Sequence, residues 1–118
     1  MKDFKKLNVW QKSIELVTSI YKTSKDFPTE EKYGLTSQIT RAAVSIPSNI
    51  AEGSSRHSEK DYFRFLEIAL GSAFELETQL IIVEKLEFLN SSELSKLIDE
   101  TKSIQKMLSG LMSKLKRT

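Results

Sequence analysis

The sequence predicts an all-α protein, an antiparallel up-down-up-down four-helix bundle in a single domain spanning residues 1–118. Three observations point there. Apolar residues recur at three- and four-residue spacing in four separate stretches, the period of a helix with one buried stripe. The connections between those stretches are short, which makes neighbouring helices run antiparallel. No stretch alternates apolar and polar residues as a half-buried strand does, and no internal repeat appears. A chain of 118 residues can bury such a core without covalent staples.

The first helix is predicted over about residues 7–25, with Leu7, Trp10, Ile14, Val17 and Tyr21 as its stripe and Asn8 or Asp3 as its cap. Asp26-Phe27-Pro28 ends it, because the residue before a proline is pushed out of the helical region. The second helix is expected to begin near Pro28-Thr29-Glu30-Glu31, where proline and acids suit a first turn. Leu35, Ile39, Ala42 or Ala43, Ile46 and Ile50 follow, and Gly53-Ser54 is read as the stop. Ser58 caps the third, whose stripe is Tyr62, Leu66, Ala69, Ala73, Leu76, Leu80 and Val83. Asn90 caps the fourth, with Leu94, Leu97, Thr101, Ile104, Leu108, Leu111 and Leu115 facing inward.

The third segment carries a second apolar line, Phe63, Leu70, Phe74, Ile81 and Phe88, offset from the first. This line either lets the helix touch two neighbours in one bundle or forms a subunit interface, and it is the candidate surface for self-association. Gly71-Ser72-Ala73 lies in its middle. Glycine there costs about 1 kcal/mol against alanine, so close approach of another backbone is a reason for it.

Pro47 falls inside the second helical pattern. It cannot donate to the carbonyl of Ala43, and its ring crowds that oxygen, so a kink or a restart is expected. Gln38, Arg41, Ser45, Ser48 and Glu52 share one face of this segment, with Asn49 beside them. That polar row reads either as a structural network between helices or subunits, or as a ligand or partner site built on Arg41 and Asn49. Arg41 and Glu52 stand about 16 Å apart along the axis at 1.5 Å per residue, too far to pair with each other.

Charge is uneven although the net is only +2. Residues 1–25 hold six lysines against two acids, and residues 91–118 six basic residues against three acids. Residues 58–90 hold seven acids against three basic residues. The basic ends supply candidate phosphate contacts in Lys2, Lys5, Lys6 and Lys12, and in Lys114, Lys116 and Arg117. The first and last residues of an up-down bundle fall at one end, so these charges are expected to merge into a patch for RNA or DNA. The competing reading is that they are solvated, or complement other surfaces within an assembly.

Enzymatic chemistry is not expected. There is no cysteine, and the lone histidine, His57, lies in a polar connection without the Glu-x-x-His spacing of bundle metal sites. Glu75 and Glu77 point to different sides, and the three-residue spacing of Glu84 and Glu87 is common on solvated helices. No glycine-rich phosphate loop or nucleophile triad is present, so no cofactor, no metal and no catalytic residue is expected. The N-terminus has charge without an apolar core after it, and no run approaches the ~18 apolar residues of a membrane span. A cytoplasmic protein with no membrane contact is the expectation.

Several blocks carry a resemblance: residues 7–12 (Leu-Asn-Val-Trp-Gln-Lys), Phe27-Pro28, residues 33–39, the run Arg41-Ala42-Ala43-Val44-Ser45-Ile46-Pro47-Ser48-Asn49-Ile50-Ala51-Glu52-Gly53, and residues 65–77. Together they resemble the small four helix bundle protein family. Its first members were reading frames in intervening sequences of bacterial 23S ribosomal RNA genes, a position that earned them a ribosomal-protein label. The resemblance implies a ring-shaped homo-oligomer, typically a pentamer, and no enzymatic activity. A related branch comprises the accessory variability proteins of diversity-generating retroelements, which are basic and bind nucleic acid and a reverse transcriptase. This chain is only weakly basic by comparison. Two functions are therefore carried forward: an RNA-binding or ribonucleoprotein adaptor, and a protein-interaction scaffold for an unidentified protein partner.

Overall fold

The computed structural model describes residues 3–115. Four α-helices follow one another: α1 (Asn8–Ser24), α2 (Leu35–Ser54), α3 (Glu59–Leu86) and α4 (Ser91–Met112). Single 3₁₀ turns at Phe4–Lys6 and Thr29–Glu31 precede the first two, and there is no strand among the described residues. The molecule measures 44 × 24 × 22 Å. Its length is close to that of α3 alone, about 42 Å for 28 residues.

The helices pack as four sides of a square. α2 lies on α1 and α3, and α4 lies on α3 and α1, while the diagonal pairs make no close approach. Three of the four expected stripes face the core. Ile39, Ala42, Ala43, Ile46 and Ile50 of α2 are buried, as are the whole Tyr62-to-Val83 stripe of α3 and Leu94, Leu97, Thr101, Ile104 and Leu108 of α4. The hydroxyl of Thr101 donates to the Leu97 carbonyl at 2.8 Å, so its burial leaves no donor unmet.

The first stripe is corrected. Val9, Ser13, Leu16 and Ile20 face the core, while Ile14 and Tyr21 are exposed and Leu7, Trp10 and Val17 are half-buried. Two apolar lines compete on α1, and the weaker-looking one wins because Ser13 is small and closes its hydroxyl on the Trp10 carbonyl at 2.7 Å.

Other boundaries shift for local reasons. Asp3 caps the Phe4–Lys6 turn by accepting from the Lys5 amide, and α1 starts at Asn8 without a side-chain cap. The proline-acid stretch forms only the Thr29–Glu31 turn, and α2 opens at Leu35, whose amide donates to Glu31 Oε1 at 3.2 Å. α2 also passes through Pro47 as one unbroken helix, not a restarted one. Ile46, Pro47 and Ile50 are buried, so packing holds the segment helical where the backbone has lost a bond. Gly53 lies inside α2, not beyond its end. Ser58 and Asn90 cap α3 and α4 as expected, accepting from the amides of Asp61 and of Ser92 and Glu93. Phe88 falls past the end of α3, beyond Glu87, which takes a left-handed conformation (φ 58°).

Candidate functional site

The basic residues lie on separate elements. Lys5 and Lys6 are exposed on the 3₁₀ turn that touches α1 and α2 but not α4. Lys12 lines the other side of α1, a groove against α4 with Glu15, Lys96 and Glu100, and its Nζ lies 4.0 Å from Glu15 Oε2. Both side chains of that pair are more than half exposed, so the contact holds Lys12 only weakly. Lys114 is exposed just past α4. Lys2, Lys116 and Arg117 lie outside the described residues.

The polar row of α2 divides into three parts. At its centre Ser45 Oγ and Ser72 Oγ of α3 share a hydrogen bond of 2.8 Å. Asn49 Nδ2 donates to both Ser45 Oγ (3.0 Å) and the Ser45 carbonyl (2.8 Å), so the carbonyl it meets is not the one freed by Pro47. Toward the C-terminus Glu52 pairs with Arg56 at 3.6 Å, and the Arg56 guanidinium lies 4.7 Å from the Phe65 ring centroid. Ser48 is exposed beside the α1/α2 groove described below.

Toward the N-terminus Gln38, Arg41 and Ser45 form one wall of a cleft of about 300 Å³, and Ser72, Glu75 and Gln79 of α3 form the other. Arg41 and Glu75 make no ion pair with each other or with any described residue. Gln79 is 6% exposed, and its buried Oε1 has no hydrogen-bond partner among the described residues. Sequence reasoning found the α2 wall of this cleft and missed the α3 wall. The signal was present in the 3-4 spacing of Ser72, Glu75 and Gln79, which matches that of Gln38, Arg41 and Ser45.

Apolar surface is exposed in two places. Between α1 and α2 runs a groove of about 320 Å³ lined by Phe4, Trp10, Ile14, Val17, Val44 and Pro47. The Phe4 ring closes one end against Trp10, edge-on at 5.3 Å. This groove is where the misassigned stripe of α1 comes to lie. On α3 the second apolar line splits. Phe63, Leu70 and Phe88 pack half-buried against the core, with Phe88 6.1 Å from the Phe27 ring, whereas Phe74 and Ile81 are exposed, as are Ile68, Ile82 and Leu86. Gly71, on the same helix, has nothing within 4 Å of where a Cβ would stand, so no close approach inside the subunit explains it.

No group of three or more His, Asp or Glu side chains stands close enough to hold a metal ion among the described residues. His57 is exposed in the connection between α2 and α3. Among the described residues no helix is long and apolar enough to cross a membrane.

A family model for the 23S rRNA-intervening sequence protein matches residues 5–110, nearly the whole bundle. The chain belongs to the 23S rRNA-intervening sequence protein family. The crystal structure of a protein of unknown function from the S23 ribosomal protein family of Bacteroides thetaiotaomicron is similar to it, with a TM-score of 0.82 and 28% identity, over 88% of this chain and 97% of that one. No curated protein matches. The resemblance read from the Arg41-to-Gly53 run thus leads to the same family as the whole-chain comparison. The name of the 23S rRNA-intervening sequence protein family specifies no chemistry.

Proposed function

We propose that this chain is a non-enzymatic helix bundle that assembles with copies of itself and binds RNA through basic surface repeated around the assembly. One observation carries the reading: two unlike apolar faces stand exposed on one small chain. The α1 wall of the α1/α2 groove lies in a basic part of the sequence, its α2 wall in a nearly neutral one, and Phe74 and Ile81 lie in the most acidic part. A face that meets an unlike face repeats head to tail and closes into a ring when the rotation allows. Charge of opposite sign around the two faces favours that docking over like-to-like contact. Five subunits is the number the family resemblance implies.

The up-down-up-down direction of the helices belongs to the same reading. Its support is that partners on α3 fall in number as those on α2 rise: Ser45 meets Ser72, and Gly53 meets Phe65. Lys5, Lys6 and Lys114 then stand near one end of every subunit, and a ring brings several copies of that end together. Phosphate contacts of this kind read backbone and shape, and they suit an RNA partner met in the cytoplasm.

The exposed acids of α3, Glu59, Asp61 and Glu67 among them, favour a second reading, a scaffold that docks a basic protein partner. Light scattering followed by filter binding of RNA across a salt series separates the two. The first reading expects an oligomer that retains RNA at low salt, with a salt slope of about 0.7 per phosphate neutralised. Replacing Lys5, Lys6 and Lys114 by glutamine lowers that slope. A monomer, or an oligomer that retains no RNA at low salt, overturns it, and a co-purifying protein without RNA supports the scaffold.

A further inference from the structure

We propose that the outer stripe of α3, formed by Gly71, Phe74, Thr78 and Ile81, seats in the α1/α2 groove of a second copy standing at the same height. This rests on the assembly proposed above and names its seam. The four residues follow at 3-4-3 spacing, and all are exposed. A solvated helix face normally carries charge, yet this stripe carries none between Glu67 and Lys85, which continue it at either end. Thr78 turns its hydroxyl back on the Phe74 carbonyl at 2.9 Å, so its one polar side-chain atom is met within the helix. Gly71 has nothing within 4 Å of its absent Cβ, although glycine in mid-helix costs about 1 kcal/mol. A helix pressing on α3 from outside accounts for it, since a missing side chain lets two helix axes approach to about 8 Å.

The groove matches this stripe in length, charge and height. Trp10, Ile14 and Val17, with Tyr21 next in line, span about 16 Å of α1, and Gly71 to Ile81 span about 15 Å of α3, at 1.5 Å per residue. Between Arg64 and Lys85, α3 holds Glu67, Glu75, Glu77 and Glu84 and no basic residue. The groove has Lys5 and Lys6 at its Phe4 end. Arg41 stands in one row with Val44 and Ser48 of its α2 wall and has no ion pair among the described residues, whereas Glu52, next in that row, is taken by Arg56. The unpaired charges are thus basic on one side and acidic on the other. Height follows from one hydrogen bond. Val44 lines the groove beside Ser45, Ser45 Oγ meets Ser72 Oγ at 2.8 Å, and Ser72 adjoins Gly71 in the stripe. Groove and stripe therefore lie within about one helical turn of the same level, 5.4 Å. A rotation about an axis along the bundle, with no slide, brings one to the other. A contact that repeats by rotation alone can close; one that needs a slide builds a filament.

Two variants of the full chain test the seam, Ile14→Glu spoiling the groove and Phe74→Glu the stripe. Both positions are exposed, so each subunit keeps its fold, which circular dichroism checks. Each variant alone is expected to elute with the mass of one subunit. Mixed in equal amounts, they are expected to pair at twice that mass and go no further, because one sound groove and one sound stripe remain between them. Cysteine pairs test the height without breaking the assembly, since the chain has no cysteine of its own. Copies carrying Ile14→Cys and Phe74→Cys, refolded together and oxidised, should form the mixed disulfide. Ile81→Cys, about 10 Å further along α3, should join Ile14→Cys at least tenfold more slowly, because a disulfide needs close Cα atoms. A parent that elutes as one subunit ends the assembly and the seam together. A parent that assembles while the two glutamate variants refuse to pair overturns the seam and leaves the assembly standing. So does an Ile14→Glu variant of unchanged mass, a Phe74→Cys copy that joins only to itself, or Ile81→Cys as the faster partner.

Discussion

A Cβ built on Gly53 would lie 2.8 Å from Phe65 Cβ. That distance is shorter than two carbon atoms tolerate, and the atom it meets is attached to the α3 backbone and cannot swing aside. Tyr62 crowds the same point from Cδ1 at 3.0 Å. The glycine therefore sets how closely the end of α2 approaches the start of α3. Gly53→Ala gains about 1 kcal/mol of helix propensity and loses about 1–3 kcal/mol to overpacking. Crowding wins, and urea unfolding is expected to give a midpoint lower than the parent's. An equal or higher midpoint would mean that α3 yields without strain.

Gly71 gives the contrasting case. Nothing stands within 4 Å of its absent Cβ, and it is exposed in mid-helix. Gly71→Ala should stabilise the isolated subunit by up to about 1 kcal/mol. Measured at dilutions where subunits separate, that gain is the expected result. At concentrations where they assemble, the same substitution reports on the seam. A fall in mass on light scattering means that another backbone comes close at Gly71.

The Ser45–Ser72 bond couples α2 to α3 at the middle of both helices. A double-mutant cycle with Ser45→Ala and Ser72→Ala should return a coupling of about 0.5–1.5 kcal/mol, the range of a neutral hydrogen bond. A coupling near zero would mean that solvent serves each hydroxyl as well as its partner does. Asn49→Ala should shrink the coupling as well, because its amide holds Ser45 Oγ in place.

Burial raises the ionisation of the Tyr62 phenol above its ordinary value of 10.0, since the charged form would have to give up water. The sign follows from linkage. The unfolded chain loses this proton first, so the contribution is fully present below pH 10 and is lost as pH rises above it, through the higher folded value. Tyr62→Phe should therefore flatten the alkaline fall in melting temperature relative to the parent. Identical alkaline limbs for parent and Tyr62→Phe would contradict the desolvation argument.

What the sequence made legible was whatever depends on period alone. The Tyr62-to-Val83 stripe and both capping residues, Ser58 and Asn90, stand where spacing put them, because that stripe is unbroken over the length of α3 while the second apolar line beside it is left half-buried or exposed. α1 failed that test because it carries two stripes. Period cannot choose between Leu7-Trp10-Ile14-Val17-Tyr21 and Val9-Ser13-Leu16-Ile20; the small Ser13 fits against neighbours that only the fold brings together. Pro47 failed it for the opposite reason. The local rule asks for a break, and burial of Ile46, Pro47 and Ile50 overrides the rule. The polar row showed half of a cleft. Its other half sits about thirty residues away in sequence, and no local pattern joins Arg41 to Glu75 or Ser45 to Ser72.

Phe74 tests assembly with least risk to the fold. Its side chain is 52% exposed, and Ile81, seven residues on, stands on the same face at 38%. In the separate subunit a polar residue at either position costs little, within about 0.5 kcal/mol for surface positions. At a seam the same change is severe, because a carboxylate would be stripped of water among apolar side chains. Phe74→Glu should thus elute with the mass of one subunit while its melting temperature at high dilution matches the parent's. Ile81→Ser, a milder change on the same face, should weaken assembly in proportion without adding charge. RNA retention should fall together with mass, since dispersing the subunits scatters Lys5, Lys6 and Lys114 among separate particles. An unchanged mass in both variants would remove α3 from the seam. Loss of mass with RNA retention intact would place phosphate binding on the single subunit, and the ring would then have no part in it.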